Sequence, residues 1–302
     1  MGTFGFASAL LKVTAWNRLY ECIPGKWRYW RGPNRIGTII ACLPKELLKG
    51  RGWKLPDNPA LIWPGAKLAL LWQRFYRELQ DQEITILGLD PGSQFVPPLV
   101  LRNQPAFPGI SDGKALELLL FINRFRSILR NYEIPPQKAK AMVVWEEGNL
   151  GITCARLIAR EVRFLALLCP NERSLERTAE LVLAETGISP QIYTIPPPDF
   201  RGARIVIKCG NLVKLQLTRP SKRIIWCELF QSRPSLTSMN VGLPLSVRSK
   251  AGELPLYPAL GEAVLRSCFD LNYGFWFGSE LPLERVMKLA ACFRELGREI
   301  AV

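Results

Sequence analysis

The chain has 302 residues, of which 48% are apolar and 22% charged, as is typical of a folded globular protein with a sizeable core. It carries a net charge of +14 and no histidine, which excludes Ser–His and His–Cys nucleophilic pairs and imidazole metal ligands. Its eight scattered cysteines show no C-x-x-C spacing, which indicates reduced thiols and no metal site. Any chemistry must therefore use Lys, Glu, Asp, Tyr, Cys or a bound cofactor.

The positive charge is concentrated near the N-terminus. Residues 1–60 hold ten Lys and Arg against three Asp and Glu, with aromatic residues interleaved at 27–31 and 51–54. This pattern favours an acidic partner for residues 12–54, either an acidic carrier protein or an anionic surface, with nucleic acid a weaker candidate. A solvated basic face above buried Trp and Tyr side chains explains the pattern equally well. No apolar run spans a bilayer and no secretory signal is recognisable, so we expect a cytoplasmic protein.

In the N-terminal third, short strand patterns alternate with prolines. Residues 36–42 and 84–87 are predicted strands, and a turn is predicted at 90–93. Residues 68–79 have the apolar spacing of a helix. A longer helix is predicted over 114–132, capped by Ser111 or Asp112 and ended by a Pro-Pro pair.

The most informative stretch is 141–159, which has the pattern of a buried strand, a glycine turn and an amphipathic helix. Gly148 and Gly151 mark the turn, and apolar residues recur after it at helical spacing. This is the layout of a dinucleotide-binding site, in which the first glycine lets the backbone approach the pyrophosphate and the helix N-terminus holds the negative charge.

The phosphate-facing part of this turn is altered. Trp145 stands where the first glycine is expected, and Glu146 and Glu147 follow it. A carboxylate about 5 Å from a phosphate costs on the order of 3 kcal/mol at an effective dielectric near 20. We interpret Trp145 as a packing residue rather than a catalytic one, and the two glutamates as solvated charges rather than an acid–base pair.

The remaining elements alternate between strand and helix, which favours a parallel sheet covered on both faces. Strands are predicted at 164–169, 191–195, 204–207, 213–217 and 223–229, and helices at 174–185, 258–269 and 282–296. The predicted fold class is α/β, with an N-terminal α/β domain, a Rossmann-type doubly wound parallel sheet and C-terminal helices. The predicted boundaries are 1–110, 111–245 and 246–302, the last segment packing back on the domain cleft.

Several short motifs follow one another in the order of a known family. They are 2–7 (GTFGFA), 37–44 (GTIIACLP), 84–89 (ITILGL), 111–114 (SDGK), 257–263 (YPALGEA) and 275–278 (FWFG). This collinear set resembles the aldehyde-forming long-chain acyl-[acyl carrier protein] reductases, a family also described as predicted amino-acid dehydrogenases. The resemblance implies a nicotinamide cofactor, NADP or NAD, and a cysteine that accepts the acyl chain.

Carried over residue by residue, the resemblance predicts a damaged cofactor site. The positions that match its cofactor-binding elements are Trp145, Gly148, Asn149, Gly151 and Lys114. Lys114 replaces an asparagine of the family and could bind a phosphate or carboxylate, although a surface lysine is the commoner explanation.

Two further positions depart from the family. The arginine that would meet an adenosine 2′-phosphate falls at Pro170, and the nucleophilic cysteine falls at Ala259, while the neighbouring Glu262 is retained. Cys227 and Cys268 are weak substitutes for the nucleophile, since neither has an evident activating base.

Three hypotheses follow. The first is a degenerate relative of the reductases that binds a ligand, a carrier protein or another protein without chemistry. The second is an active NAD(P)-dependent reductase or dehydrogenase with a rearranged nucleophile and cofactor turn. The third is a peripheral binder of anionic surfaces or nucleic acid through residues 12–54.

Overall fold

The computed structural model of the protein describes residues 3–8, 34–42, 47–54, 65–89, 108–210, 212, 215, 224–230, 246–249, 252–253, 257–271, 275–276 and 280–297. The described strands are β1 (Thr3–Ser8), β2 (Asn34–Cys42), β3 (Leu47–Lys54), β4 (Ile84–Leu89), β5 (Gly109–Ser111), β6 (Lys140–Val144), β7 (Phe164–Leu168), β8 (Gln191–Tyr193), β9 (Ile205–Cys209), β10 (Ile225–Leu229), β11 (Ser246–Ser249), β12 (Gly252–Glu253) and β13 (Phe275–Trp276). The described α-helices are α1 (Gly65–Asp81), α2 (Lys114–Asn131), α3 (Leu150–Ile158), α4 (Glu172–Thr186), α5 (Pro258–Cys268) and α6 (Leu283–Glu295).

The chain forms two compact units. Unit 1 comprises Met1–Leu116 and Ser235–Phe277, and unit 2 comprises Glu117–Pro234 and Gly278–Val302. This division differs from the predicted boundaries, because the stretch 246–302 is shared between the units and contains strands β11 to β13 as well as two helices. Short strands of this kind carry too little periodicity to be recognised in the sequence.

Unit 1 is built on an eight-stranded mixed sheet in the order β12-β11-β2-β3-β1-β4-β5-β13. The neighbouring pairs β3–β1, β1–β4, β4–β5 and β5–β13 are parallel, whereas β2 pairs antiparallel with β3 and β11. Helix α5 packs on β1, β4 and β5, and α1 packs on β4.

Strand β3 was not predicted, because its two glycines and its charges hide the strand pattern. A Cβ on Gly50 would lie 2.5 Å from the ring of Phe4, which is fully buried on the neighbouring strand β1. The glycine therefore makes room for an aromatic ring, a requirement set by the partner strand rather than by local sequence.

Unit 2 contains a five-stranded parallel sheet in the order β10-β9-β6-β7-β8. The first strand of this sheet along the chain is the central strand β6. Strands β7 and β8 follow on one side of it, and β9 and β10 then follow on the other. This is the strand order of a doubly wound Rossmann-type sheet, and its order reverses between β6 and β9. The protein thus has an α/β fold with a Rossmann-type half, as the sequence predicted.

The core of unit 2 surrounds these strands. The side chains of β6 from Ala141 to Val144 and of β7 from Ala166 to Leu168 are completely buried, as expected for parallel strands covered on both faces. Helices α3 and α4 pack on the sheet. One cluster on the sheet is formed by Met142, Val144, Ala166, Leu168, Phe200, Ala203, Val206 and Leu215.

Helix α4 shows how the local sequence sets its ends. The Asn171 side chain accepts a hydrogen bond from the Ser174 N–H at 3.1 Å, and Gly187 adopts φ 72° just after the last turn. The predicted strand at 213–217 is not supported by its one described residue, Leu215, which lies in a bend. The predicted turn at 90–93 and the basic residues 12–33 lie outside the described residues.

Within the described residues, no helix combines the length and the apolar character needed to cross a lipid bilayer.

Candidate functional site

The candidate site is the turn between β6 and α3 in unit 2. Gly148 adopts φ 69°, a left-handed conformation that favours glycine, and Asn149 precedes the first residue of α3. The predicted strand, glycine turn and helix are therefore confirmed as local structure. Because this turn lies at the carboxyl end of the central strand, it occupies the edge at which Rossmann-type sheets bind ligands.

Trp145 fills the space beside the helix. Its side chain is 1% exposed, and a Cβ on Gly151 would come within 2.5 Å of the Trp145 Cβ and closer still to its ring. The indole N–H donates to the Ser174 hydroxyl at 3.4 Å, and the backbone N–H donates to the Leu168 carbonyl at 3.1 Å. The side chain is thus wedged between α3 and the start of α4.

The two glutamates behave differently. The Glu146 carboxylate accepts a hydrogen bond from the Leu215 N–H at 2.6 Å and is half-buried. The prediction of a solvated charge is therefore wrong for Glu146, because its carboxylate satisfies a backbone donor that the sequence does not reveal. Glu147 is exposed.

A cavity of about 580 Å³ opens next to this turn. Its lining residues are Glu146, Glu147, Gly148, Pro170, Asn171 and Ser174. The volume lies within the range of roughly 300–1,000 Å³ that small-molecule sites occupy. Asn171 and Ser174 belong to the N-terminal turn of α4 and were not predicted as site residues, because they resemble an ordinary helix cap in the sequence.

The Asn149 side chain is hydrogen-bonded to a distant part of the chain. Its side-chain oxygen accepts a hydrogen bond from the Leu281 N–H, and the Thr153 hydroxyl one turn later donates to the Leu281 carbonyl at 2.5 Å. Leu281 is 3% exposed. The first turn of α3 therefore holds both backbone groups of Leu281, a contact between distant residues that no sequence motif indicates.

These residues do not fit a dinucleotide in the manner of a glycine-rich turn. The indole of Trp145 occupies the face of Gly151, the cavity beside the turn carries two carboxylates, and Asn149 is bound to Leu281. Pro170, at the position where the family resemblance predicts an arginine, contributes no positive charge to the cavity. A pyrophosphate would meet bulk and negative charge where it needs an accessible backbone.

Of the other predicted residues, Lys114, Ala259, Glu262 and Cys268 lie in unit 1 and Cys227 lies in unit 2. Ala259 is completely buried in the first turn of α5, and a Cβ on Gly113 would come within 2.6 Å of the neighbouring Pro258 Cβ. The Lys114 ammonium pairs with the Asp112 carboxylate at 2.6 Å. The predicted cofactor set is therefore divided, with Lys114 in unit 1 and the turn residues in unit 2.

Glu262 is completely buried in unit 1 and bonded on both oxygens. The Ser111 hydroxyl donates to Oε1 at 2.5 Å, and the Leu116 N–H donates to Oε2 at 3.0 Å. Burial raises the pKa of Glu262 to about 7, an effect that the Ser111 hydrogen bond and the Arg266 charge reduce. This carboxyl joins α5 to β5 and to the start of α2.

Three of the described thiols, Cys169, Cys209 and Cys227, are unsuited to nucleophilic attack. Burial raises the pKa of Cys227 to about 11, and burial also raises the pKa of Cys169 and of Cys209 above the ordinary value. Such thiols stay protonated at neutral pH. Cys268 is half-exposed at the last residue of α5, at the opposite end of that helix from Ala259. Among the residues that the structure describes, no group of His, Cys, Asp or Glu is arranged to hold a metal ion.

No protein-family model matches this chain, and no curated protein matches it in sequence. Among solved structures, the chain is similar to L-tryptophan dehydrogenase from Nostoc punctiforme, with 14% identity over 69% of this chain and 56% of that chain and a TM-score of 0.32. It is also similar to quinate dehydrogenase from Corynebacterium glutamicum in complex with NAD, with 12% identity over 99% of this chain and 94% of that chain and a TM-score of 0.34.

A third similarity is to the A chain of dipicolinate synthase from Bacillus subtilis, with 14% identity, 41% of both chains covered and a TM-score of 0.25. The chain thus spans less than two thirds of the length of this structure and of the tryptophan dehydrogenase. At such scores the likenesses carry no conclusion about activity. The Rossmann-type arrangement follows from the strand order of unit 2 itself.

Proposed function

We propose that this protein is a degenerate relative of the acyl-[acyl carrier protein] reductases that binds a small ligand without reducing it. The observation that carries the proposal is the packing of Trp145 against Gly151, which closes the backbone approach that a dinucleotide requires. The site keeps the position of a Rossmann-type ligand site while its chemistry has changed.

The cavity beside the turn supports ligand binding. It combines a volume of about 580 Å³ with an amide, a hydroxyl and two carboxylates on its wall. Such a lining favours a ligand that is uncharged or positively charged, because an anion would face Glu146 and Glu147 at close range. Asn171 and Ser174 offer hydrogen bonds to hydroxyl or amino groups of the ligand.

The residue at the position of the family's cysteine and the pKa of Cys227 support the loss of acyl transfer. At the position of the family's cysteine the chain has Ala259, whose methyl group cannot form a thioester. The raised pKa of Cys227, at about 11, leaves that thiol protonated. Glu262, the one retained neighbour, is fully buried and hydrogen-bonded to Ser111 and Leu116.

A charge-matched ligand series tests the proposal by isothermal titration calorimetry. The probes are 5′-amino-5′-deoxyadenosine, adenosine and adenosine 5′-monophosphate, which share one scaffold and differ in charge at one position. A nucleoside scaffold is appropriate because the cavity lies at the carboxyl edge of a Rossmann-type sheet. We expect the cationic probe to bind at least tenfold more tightly than the anionic one.

NADH and NADPH test whether the protein binds a nicotinamide cofactor. We expect no heat from either at millimolar concentration. Binding of either one in the micromolar range would instead support the alternative, an active NAD(P)-dependent reductase or dehydrogenase. If no member of the adenosine series binds, the result contradicts the proposal that this cavity binds a small uncharged or cationic ligand.

Incubation with an acyl-coenzyme A, followed by mass spectrometry of the intact protein, tests the loss of acyl transfer. We expect the mass of the protein to remain unchanged. A thioester adduct that maps to Cys227 or Cys268 would contradict the proposal and favour the reductase.

A further inference from the structure

Unit 1 contains a buried polar cluster in which α5, β5 and the first turn of α2 meet. Glu262 and Arg266 lie one turn apart on α5, and both side chains are 0% exposed. Glu262 accepts hydrogen bonds from the Ser111 hydroxyl at 2.5 Å and from the Leu116 N–H at 3.0 Å. Arg266 donates to the carbonyls of Ile110 at 2.9 Å and Leu271 at 3.1 Å. The cluster thus ties one helix to two other elements through groups that have no access to water.

We propose that the protonation state of the Glu262 carboxyl group controls how stably α5 is packed on β5 and on the start of α2. The Leu116 N–H that it holds belongs to the last residue of unit 1 before the chain enters unit 2 at Glu117. This hydrogen bond therefore acts on the turn of α2 that contains the boundary between the two units.

Two charged side chains among the described residues act on Glu262. Arg266 on α5 favours the ionised form, and Asp112, at the turn before α2, opposes it. Asp112 is itself paired with Lys114 at 2.6 Å. The strands packed against α5, namely β1, β4 and β5, carry no titratable side chain. In the described part of unit 1, one opposing cation and one like charge thus act on a completely buried carboxylate, and burial remains the largest influence on it.

The direction of the effect follows from proton linkage. Burial raises the pKa of Glu262 to about 7 from an ordinary value of 4.5, so the folded chain binds this proton more tightly than the unfolded chain does. The stabilisation is fully present below about pH 4.5 and is lost as the pH rises through about 7. Since the chain has no histidine, no imidazole titration can mask this change near neutral pH.

Proton uptake on Oε1 reverses the hydrogen bond to Ser111, since the Ser111 hydroxyl hydrogen must then turn away from Glu262. A proton added to Oε1 can be donated to the Ser111 oxygen, which already accepts the Gly113 N–H at 3.2 Å. In the protonated state the Glu262 carboxyl group is uncharged and stable in the core. In the ionised state, opening of α5 hydrates the carboxylate and therefore becomes more favourable.

Hydrogen exchange monitored by mass spectrometry tests the proposal. After correction for intrinsic exchange rates, we expect the opening equilibrium constant of α5 and of the first turn of α2 to rise on the order of a hundredfold between about pH 5 and about pH 8. In Glu262→Gln, which mimics the protonated form, we expect this rise to disappear. Glu284→Gln, which replaces an exposed carboxyl on α6, is the matched control and should keep the rise.

A second measurement does not depend on the folding of the Glu262 variant. Infrared difference spectra of the wild-type protein should show a buried carboxylic acid that loses its proton near pH 7. In Ser111→Ala the midpoint should move upward, because the Ser111 hydroxyl stabilises the ionised form. No carboxylic acid titrating near neutral pH, or an α5 whose opening is independent of pH in the wild type, would overturn the proposal.

Discussion

The molecule contains two junctions in which a strand leads through a glycine turn into a helix, and they differ in what surrounds the glycine. At the β5–α2 junction of unit 1, Gly113 adopts φ 81° against the first turn of α5. At the β6–α3 junction of unit 2, Gly148 adopts φ 69° beside a cavity of about 580 Å³. The first junction is closed by packing and by a buried polar cluster, and the second borders open space.

A glycine turn at the end of a strand therefore does not by itself make a ligand site. In unit 1 the polar groups at the turn, Ser111 and Glu262, bind each other and are fully buried. In unit 2 an exposed carboxylate, Glu147, lies on the wall of a cavity. The available volume and the polar groups that face it decide which junction can bind a ligand.

The largest expected effect concerns the closed junction. Gly113→Ala should lower the free energy of unfolding by about 3 kcal/mol, because the new Cβ overlaps the backbone of Pro258 and Ala259 and the backbone has φ 81°. Gly187→Ala is the matched control, since φ is 72° there but nothing lies within 4 Å. It should cost only about 1 kcal/mol. Urea unfolding measures both, and equal losses would show that junction packing contributes nothing.

The second effect tests the open junction. Gly151→Ala should cost about 2 kcal/mol in the wild-type background, because the new methyl group overlaps the Trp145 indole. In a Trp145→Leu background, which is itself destabilised by the loss of a buried indole, the additional cost should nearly vanish. A double-mutant cycle in urea measures this coupling, expected at about 1–2 kcal/mol. Strictly additive losses would mean that the indole does not occupy the face of Gly151.

The third effect concerns the contact that the first turn of α3 makes with Leu281. Thr153→Val should lower the free energy of unfolding by about 1–2 kcal/mol, since the buried Leu281 carbonyl loses its hydroxyl donor. The control is Thr178→Val, which removes another buried threonine hydroxyl, one that donates only to the Ser174 carbonyl within its own helix. We expect less than about 0.5 kcal/mol for the control. Indistinguishable losses in thermal or urea unfolding would count against a specific role for the Leu281 contact.

The smallest expected effect on stability is that of Glu147→Gln. Because Glu147 is exposed, its replacement should change the free energy of unfolding by less than about 0.5 kcal/mol. Its removal should nevertheless narrow the preference of the cavity for cationic over anionic adenosine derivatives by roughly threefold to tenfold. Glu180→Gln on the exposed side of α4, away from the cavity lining, should leave the preference unchanged. An unaltered preference in Glu147→Gln would show that this carboxylate does not contribute to ligand selection.

Elements whose signal is local could be predicted from the residues. The strand before Trp145, the turn at Gly148 and the helix after it follow from apolar periodicity and glycine placement, and so does the end of α4 at Gly187. The start of α4 was predicted at 174 and lies at Glu172, after the Asn171 cap. The exclusion of histidine chemistry and the departures at Trp145 and Ala259 from the family pattern are likewise visible in the residues alone.

Long-range packing sets which polar groups are hydrogen-bonded and which face open space. The hydrogen bonds of Glu146 to Leu215 and of Glu262 to Ser111 join residues 69 and 151 positions apart, and the Asn149–Leu281 contact spans 132. Local periodicity carries no information about such partners, because they are set by the order of strands in a sheet and by the packing of helices upon it. Glu146, which looks solvated in the sequence, therefore accepts a hydrogen bond from a distant backbone N–H in the folded chain. Glu262, which the family resemblance marks only as a retained residue, has its pKa raised by complete burial.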